Sequence, residues 1–318
     1  MERRQLGTSG VEVSRIILGC GNFGGIGSSP AFFGAGETEG EAHALLDAAW
    51  EAGITSYDTA DAYGGGRSET YLGTWLRSKG PGVRERIVLT TKTFNPMSDG
   101  ADSGLAPERI RRQLASSLER LGVDSVDLYL AHEMDPATPV SDTIATFEEL
   151  VDAGAIRAYG GSNVDAAWLD EALQHGRPAW VQNSYSLLER GDESDVLPVI
   201  ARAGLGYTPF SPLAGGWLTG KYRRGQEAPA GSRMTLRPEP YRHLLDDRVY
   251  DALEAFEAAA AARETTPAAL AIAWLLAHPQ VTAVVIGPRR PEQLEPALEA
   301  LELRLSPPEH EELAAVFA

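Results

Sequence analysis

Four side chains in the first half of the sequence have the types needed to place a proton on a carbonyl oxygen. Asp58 and Tyr63 lie in "SYDTADAYGGG", Lys92 closes "RIVLTTK", and His132 closes "VDLYLAH". A phenol has an ordinary pKa of about 10 and donates reluctantly at neutral pH. A neighbouring ammonium stabilises the phenolate and brings that value down. Lys92 has the charge for this, and Asp58 has the charge to fix Lys92 and keep it protonated. An imidazole at 132 would donate to the same oxygen and orient the carbonyl. No serine or cysteine with a paired base stands out, so the group attacking carbon would come from a cofactor, and hydride is the natural candidate. Each residue also has a plain structural reading: a turn cap, a packing ring, a lysine at a strand exit, a satisfied core imidazole. Those readings weaken jointly, because ionisable groups are avoided in protein interiors and these sit at the ends of three successive apolar runs.

Bringing them together requires parallel strands whose ends share one face. The chain alternates short apolar runs with helical periodicity: "RIILG", "ITSYD", "RIVLTTK", "VDLYLAH", "IRAYGGSN", "AWVQNSY", "LGYTPFSP" and "VTAVVIG" are each followed by a helical segment. Runs this apolar belong to a parallel sheet covered on both faces. Eight strand–helix units point to a closed (β/α)8 TIM barrel, with a doubly wound sheet as the competitor. Alternating segments around Thr8-Ser9-Gly10 predict an N-terminal β-hairpin. No Pro/Ser-rich linker divides the chain, so residues 1–318 are expected to form a single domain. In such a barrel the C-terminal strand ends carry the chemistry. Ser162 and Asn163 on the fifth strand and Gln182 on the sixth then join the four.

The bulk composition excludes several alternatives. A net charge of −17 over 318 residues repels nucleic acid and anionic membranes. A phosphorylated ligand would need a local basic patch. Cys20 is the one cysteine, so no intrachain disulfide forms, which fits a reducing compartment. No signal peptide and no apolar run of about 18 residues is seen, and a cytoplasmic location is expected. None of the six histidines pairs with another at metal-ligand spacing. Oligomeric state is left open, a homo-oligomer included.

One motif misleads. "GCGNFG", Gly19 to Gly24, matches the Rossmann pattern G-x-G-x-x-G after a strand. That pattern needs a helix opening at once to hold a pyrophosphate. "GIGSSPAFFGAGETEG" follows instead, too rich in Gly, Pro and Ser for a helix start. These glycines are expected to let a loop approach a ligand.

With these motifs in order, the sequence resembles the aldo-keto reductase superfamily over essentially its full length. The motifs "YDTADAYGGGRSE", "TTK", "VDLYLAH", "GGSN", "VQNSYS" and "FSPLAGGWLTGKY" carry the likeness. The resemblance implies a catalytic tetrad of Asp58, Tyr63, Lys92 and His132, with Tyr63 as general acid in reduction. It implies a nicotinamide cofactor across the barrel mouth, transferring its 4-pro-R hydride. Ser162, Asn163 and Gln182 would hold the carboxamide, with Asp58, Gly21 and Asn22 bordering the ring. Phe210 would stack on the nicotinamide. Ser211, Pro212, Leu213 and Gly216 form the loop that approaches the pyrophosphate, and Lys221 adds charge.

At the last strand, Gly287, Arg289 and Gln293 match the adenosine-phosphate site. Arg289 suits a ribose 2′-phosphate, which favours NADP(H). Ile286 and Ala297 depart from the family pattern, where Pro and Asn are common.

The substrate, a small-molecule carbonyl, would sit on Tyr63 and His132. Phe23 is a candidate wall, with Phe32, Phe33, Phe94, Met97 and Trp217; loop-to-barrel packing is the equal alternative for these rings. The Arg-, Pro- and Gly-rich segment 222–245 is read as a surface loop able to fold over the cofactor. The implied activity is NADPH-dependent reduction of an aldehyde or ketone. Oxidation of an alcohol or sugar by NADP⁺ is a second reading, and an NADPH-sensing regulatory protein a third.

Overall fold

The computed structural model describes residues 1–318. Two short strands, β1 (Arg3–Gln5) and β2 (Glu12–Ser14), pair antiparallel as the predicted hairpin. Eight parallel strands follow: β3 (Ile16–Gly19), β4 (Ser56–Asp58), β5 (Val88–Thr93), β6 (Val126–Ala131), β7 (Ile156–Ser162), β8 (Trp180–Gln182), β9 (Gly206–Tyr207) and β10 (Val284–Ile286). They neighbour one another in chain order, and β10 returns to β3. The remaining seam is bridged by the Thr282 N–H donating to Tyr207 O at 2.8 Å and the Val285 N–H donating to Pro209 O at 2.9 Å. The sheet is therefore a closed (β/α)8 barrel. Strand β9 is only two residues long, because Pro209 and Pro212 have no N–H to give a ladder.

Helices fill every crossover, and local chemistry sets their starts. Thr38 and Glu41 form a capping box before the helix Glu39–Glu51. Pro107 opens the helix Pro107–Leu121, where its missing N–H costs nothing. Asp165 caps the helix Ala166–His175. A last helix, Pro307–Ala315, was not anticipated, although "SPPE" carries its own capping box, Ser306 with Glu309. No helix is long and apolar enough to cross a membrane.

Strand side chains alternate between two cores. Leu18, Tyr57, Leu89 and Tyr129 point outward into the layer beneath the helices. Ile17, Val88, Leu128 and Trp180 point inward and pack on Leu6, Val11 and Val13 from the hairpin, which plugs the bottom of the barrel. The period of two then carries the same inward face upward, from Val88 through Thr90 to Lys92 and from Leu128 through Leu130 to His132. The register aligns Asp58 with Thr90 and Lys92 with Leu130. The barrel thus delivers Asp58, Lys92 and His132 to one level at its upper end.

Candidate active site

Lys92 is fully buried, and its ammonium has three partners. It donates to Asp58 Oδ1 at 2.5 Å, to Thr59 O at 2.9 Å and to Tyr63 Oη at 3.3 Å. Asp58 Oδ2 accepts from Gln182 Nε2 at 2.8 Å, so both carboxylate oxygens are engaged. Tyr63 Oη lies 3.4 Å from His132 Nε2, and the two rings meet edge-on at 5.4 Å. The four residues of the sequence-derived tetrad form one contiguous cluster at the barrel mouth, with Gln182 behind it.

The electrostatics differ from the sequence expectation at Tyr63. Burial raises the phenol above its ordinary pKa, and the opposing pull of Lys92 does not overcome it. The reason is visible in the geometry: the Lys92 charge is already matched by Asp58. Burial alone would lower Lys92, but Asp58 and then Tyr63 outweigh it and hold the ammonium above its ordinary value. His132 is pushed well below the ordinary imidazole range, first by burial and then by Lys92. It is therefore neutral and carries one N–H. Its Nδ1 is buried with no partner, and its Nε2 faces Tyr63. Burial pushes the Cys20 thiol up and leaves it inert.

A nicotinamide dinucleotide fits the residues around this cluster. Gln182 is tethered through its Nε2, which leaves its carbonyl oxygen as an acceptor. Ser162 ends β7 inside the barrel, and Asn163 beside it has φ +53° and donates to His132 O and Glu133 Oε1. Phe210 is half-buried with its ring resting on the inner core. The loop after it is strained: Ser211 and Ala214 take φ of +55° and +45° although neither is glycine. Such outliers persist where the surrounding structure over-determines the backbone, and they cluster at active sites and ligand clamps. Pro212 is buried and Leu213 packs on the outer core, which anchors the loop. At Gly216 a Cβ would lie 2.3 Å from Lys221 Nζ, so only glycine lets that cation fold against the loop.

Lys221 and Arg233 have no carboxylate partner. Burial lowers both, followed by repulsion from Arg233 and Arg289 for Lys221 and from Arg237 and Arg289 for Arg233. In a chain of charge −17, Lys221, Arg233 and Arg289 are the residues that would hold a dinucleotide's phosphates. Asn22, next to Gly287, accepts from Arg233, and Gln293 accepts from the Arg289 N–H. Gly21 faces the Tyr63 ring.

Two sequence expectations need correction. Phe23 is fully buried in the layer between barrel and helices and offers no surface to the mouth. Trp217 is likewise buried, against Tyr222 and Tyr250. At and just after the false Rossmann match, a Cβ on Gly24 would meet Arg67 Cβ at 2.5 Å and one on Gly25 would meet Gly64 Cα at 2.6 Å, so these two glycines let the first loop approach the loop that carries Tyr63. That close approach holds the Tyr63 loop in place.

Segment 222–245 is more ordered than a bare loop. It holds two helical turns, Arg233–Leu236 and Glu239–Leu244. Arg233 reaches Asn22, and Arg237 donates to Ile26 O, so the segment already spans the mouth. Arg233 and Glu37 were missed as site residues. Arg233 was visible only as one of several loop arginines, and Glu37 gave no local signal.

Comparison with known proteins gives a consistent picture. The family model described as Aldo/keto reductase family matches residues 15–318. An "Uncharacterized oxidoreductase YrpG" of Bacillus subtilis (strain 168) is 36% identical, covering 96% of this chain and 92% of the relative. An "NADH-specific methylglyoxal reductase" of Escherichia coli (strain K12) is 35% identical over 96% of this chain and 95% of its own length. A "Probable voltage-gated potassium channel subunit beta" of Oryza sativa subsp. japonica is 33% identical over 95% of this chain and 92% of its own.

Proposed function

The chain belongs to the aldo/keto reductase family, and from that premise we propose that it is a cytoplasmic, NADP(H)-linked reductase of small aldehydes or ketones. One observation carries the reading: Lys92 Nζ sits between Asp58, at 2.5 Å, and the Tyr63 hydroxyl, at 3.3 Å. A reduced nicotinamide, when bound across the mouth, supplies the hydride. The protein's part is to bind and polarise the carbonyl and to protonate its oxygen. The neutral His132 donates its Nε2 proton toward that oxygen and fixes its direction. Tyr63 then gives up its proton as charge develops on the oxygen, and the buried Lys92 ammonium stabilises the phenolate left behind. Asp58, held by Gln182, keeps Lys92 protonated and in place.

A phenol raised by burial stays protonated at neutral pH, as an acid must before it acts. The oxidative direction would start from the phenolate. Arg289, at the adenosine end of the site, supports the phosphorylated dinucleotide, and Lys221 and Arg233 suit the pyrophosphate.

The test is a panel of aldehydes and ketones with NADPH and NADH in parallel, followed at the cofactor absorbance. Oxidation of NADPH with at least one carbonyl is expected. Tight cofactor binding with no turnover across the panel would overturn the assignment and favour a sensing role.

A further inference from the structure

Glu37 stands where the first loop meets the helix Glu39–Glu51, and its backbone is pinned on both sides. Its N–H donates to Asn22 O and its C=O accepts from Gly24, each at 2.9 Å. The helix cap beside it is formed by Thr38 and Glu41, so Glu37 is not needed for that. Its carboxylate is nevertheless buried, with 4% of the side chain exposed. Oε1 accepts from Arg289 Nε at 2.5 Å, across 252 positions of sequence. Oε2 is buried with no hydrogen-bond partner at all. A half-satisfied buried carboxylate is costly, and it persists here beside the arginine read as the 2′-phosphate contact. Arg289 Nη1 also reaches Gly231 O at 3.4 Å, in the segment that spans the mouth.

We propose that Glu37 is a specificity residue for the cofactor's ribose: paired with Arg289, it competes with a 2′-phosphate for that guanidinium and holds the preference for NADP(H) over NAD(H) below what a free Arg289 would give. The inference rests on the functional reading above. A 2′-phosphate must displace the Glu37 carboxylate from Arg289 or share the guanidinium with it. A 2′-hydroxyl brings no charge and meets no such competition. The cations Lys221 and Arg233 attract both dinucleotides through the pyrophosphate they share, so they do not discriminate.

Direct fluorescence titration of the purified protein with NADPH and with NADH, without substrate, tests this. Glu37→Gln keeps the size of the side chain and its acceptor for Arg289 Nε while removing the charge. It is expected to tighten NADPH about tenfold, the scale of one partly exposed charge pair, and to leave NADH within about twofold. Glu37→Ala must move the ratio in the same direction, which guards against a fold defect in either variant. On an Arg289→Ala background the effect of Glu37→Gln should largely vanish. Equal shifts for both dinucleotides, no shift, or an unchanged effect without Arg289 each overturn the proposal. A wild-type protein that binds neither dinucleotide overturns the functional reading itself. One that binds both with a ratio indifferent to Glu37 overturns this inference alone.

Discussion

The barrel interior holds two layers of opposite chemistry on one set of strands. In the lower layer the inward side chains are Ile17, Val88, Leu128 and Trp180, sealed from below by the hairpin's Leu6, Val11 and Val13. At the upper end the inward side chains are Asp58, Lys92, His132 and Gln182, all buried. The backbone period is the same, so the difference lies in residue type alone. Each lower side chain contributes about 1.5–3 kcal/mol by leaving water. The upper ones gain little from burial and must satisfy one another: a fully buried ammonium is tolerable only because Asp58, Thr59 and Tyr63 surround it. The lower layer makes the barrel stable, and that stability holds a set of charges that water would otherwise pull apart.

The sharpest way to break this comparison is Tyr63→Phe. It removes one oxygen, the proton donor, and leaves the ring. Turnover is expected to fall by about 10³-fold or more, with the melting temperature and cofactor affinity little changed. A variant that kept most of its turnover would remove the assigned acid. Lys92→Met should show both sides of the upper layer at once. It strips Asp58 of its cation and leaves a buried carboxylate held by Gln182 alone. The expected cost is about 3 kcal/mol of stability together with a roughly 10²-fold loss of turnover. Stability rising instead would mean that the ion pair weakens the fold as well as serving chemistry.

Leu6→Ala probes the other layer. Leu6 is fully buried under the barrel floor, far from any polar group of the mouth. The loss should be about 2–4 kcal/mol by denaturant melts, with kcat of the surviving folded protein unchanged. A matching fall in kcat would show that the floor positions the mouth, and the two layers would then not be separable.

What was legible in the sequence divides along the same line. The barrel was readable because eight apolar runs alternate with helical ones, and period-two alternation fixes which residues face inward. Asp58, Lys92 and His132 each close such a run, so their meeting followed from topology. The Gln182–Asp58 bond did not, because a strand's parity gives the side of a residue and not what its side chain touches. Phe23 was misread since an aromatic in a glycine-rich loop looks like a pocket wall, and its burial depends on how the loop returns over it. The net direction of the Tyr63 pKa was not legible for a physical reason: Lys92 does pull it down, as its charge implies, but the burial that outweighs this pull is set by the folded loop and not by residue type. Glu37 and Arg289 are 252 positions apart and belong to no shared motif.

The smallest expected effect comes from a buried acid on the helix side of the strands, beside the upper layer, that touches no reacting group. Asp61 is fully buried; its Oδ2 accepts from Thr93 Oγ1 at 2.7 Å, and Oδ1 has no partner. Burial, and then Glu69, pushes its pKa up to about 7. An acid raised in the folded state keeps a proton that the unfolded chain releases from about pH 4 upward. Its contribution is therefore most favourable below pH 4, declines as pH rises to about 7, and is flat beyond. Asp61→Asn removes that slope. Relative to wild type, the variant should gain on the order of 1 kcal/mol in stability between pH 5 and pH 8, read from paired denaturant melts. Parallel curves for the two proteins across that range would show that Asp61 is not strained by its burial, and that its surroundings satisfy the charge more completely than the unpartnered oxygen implies.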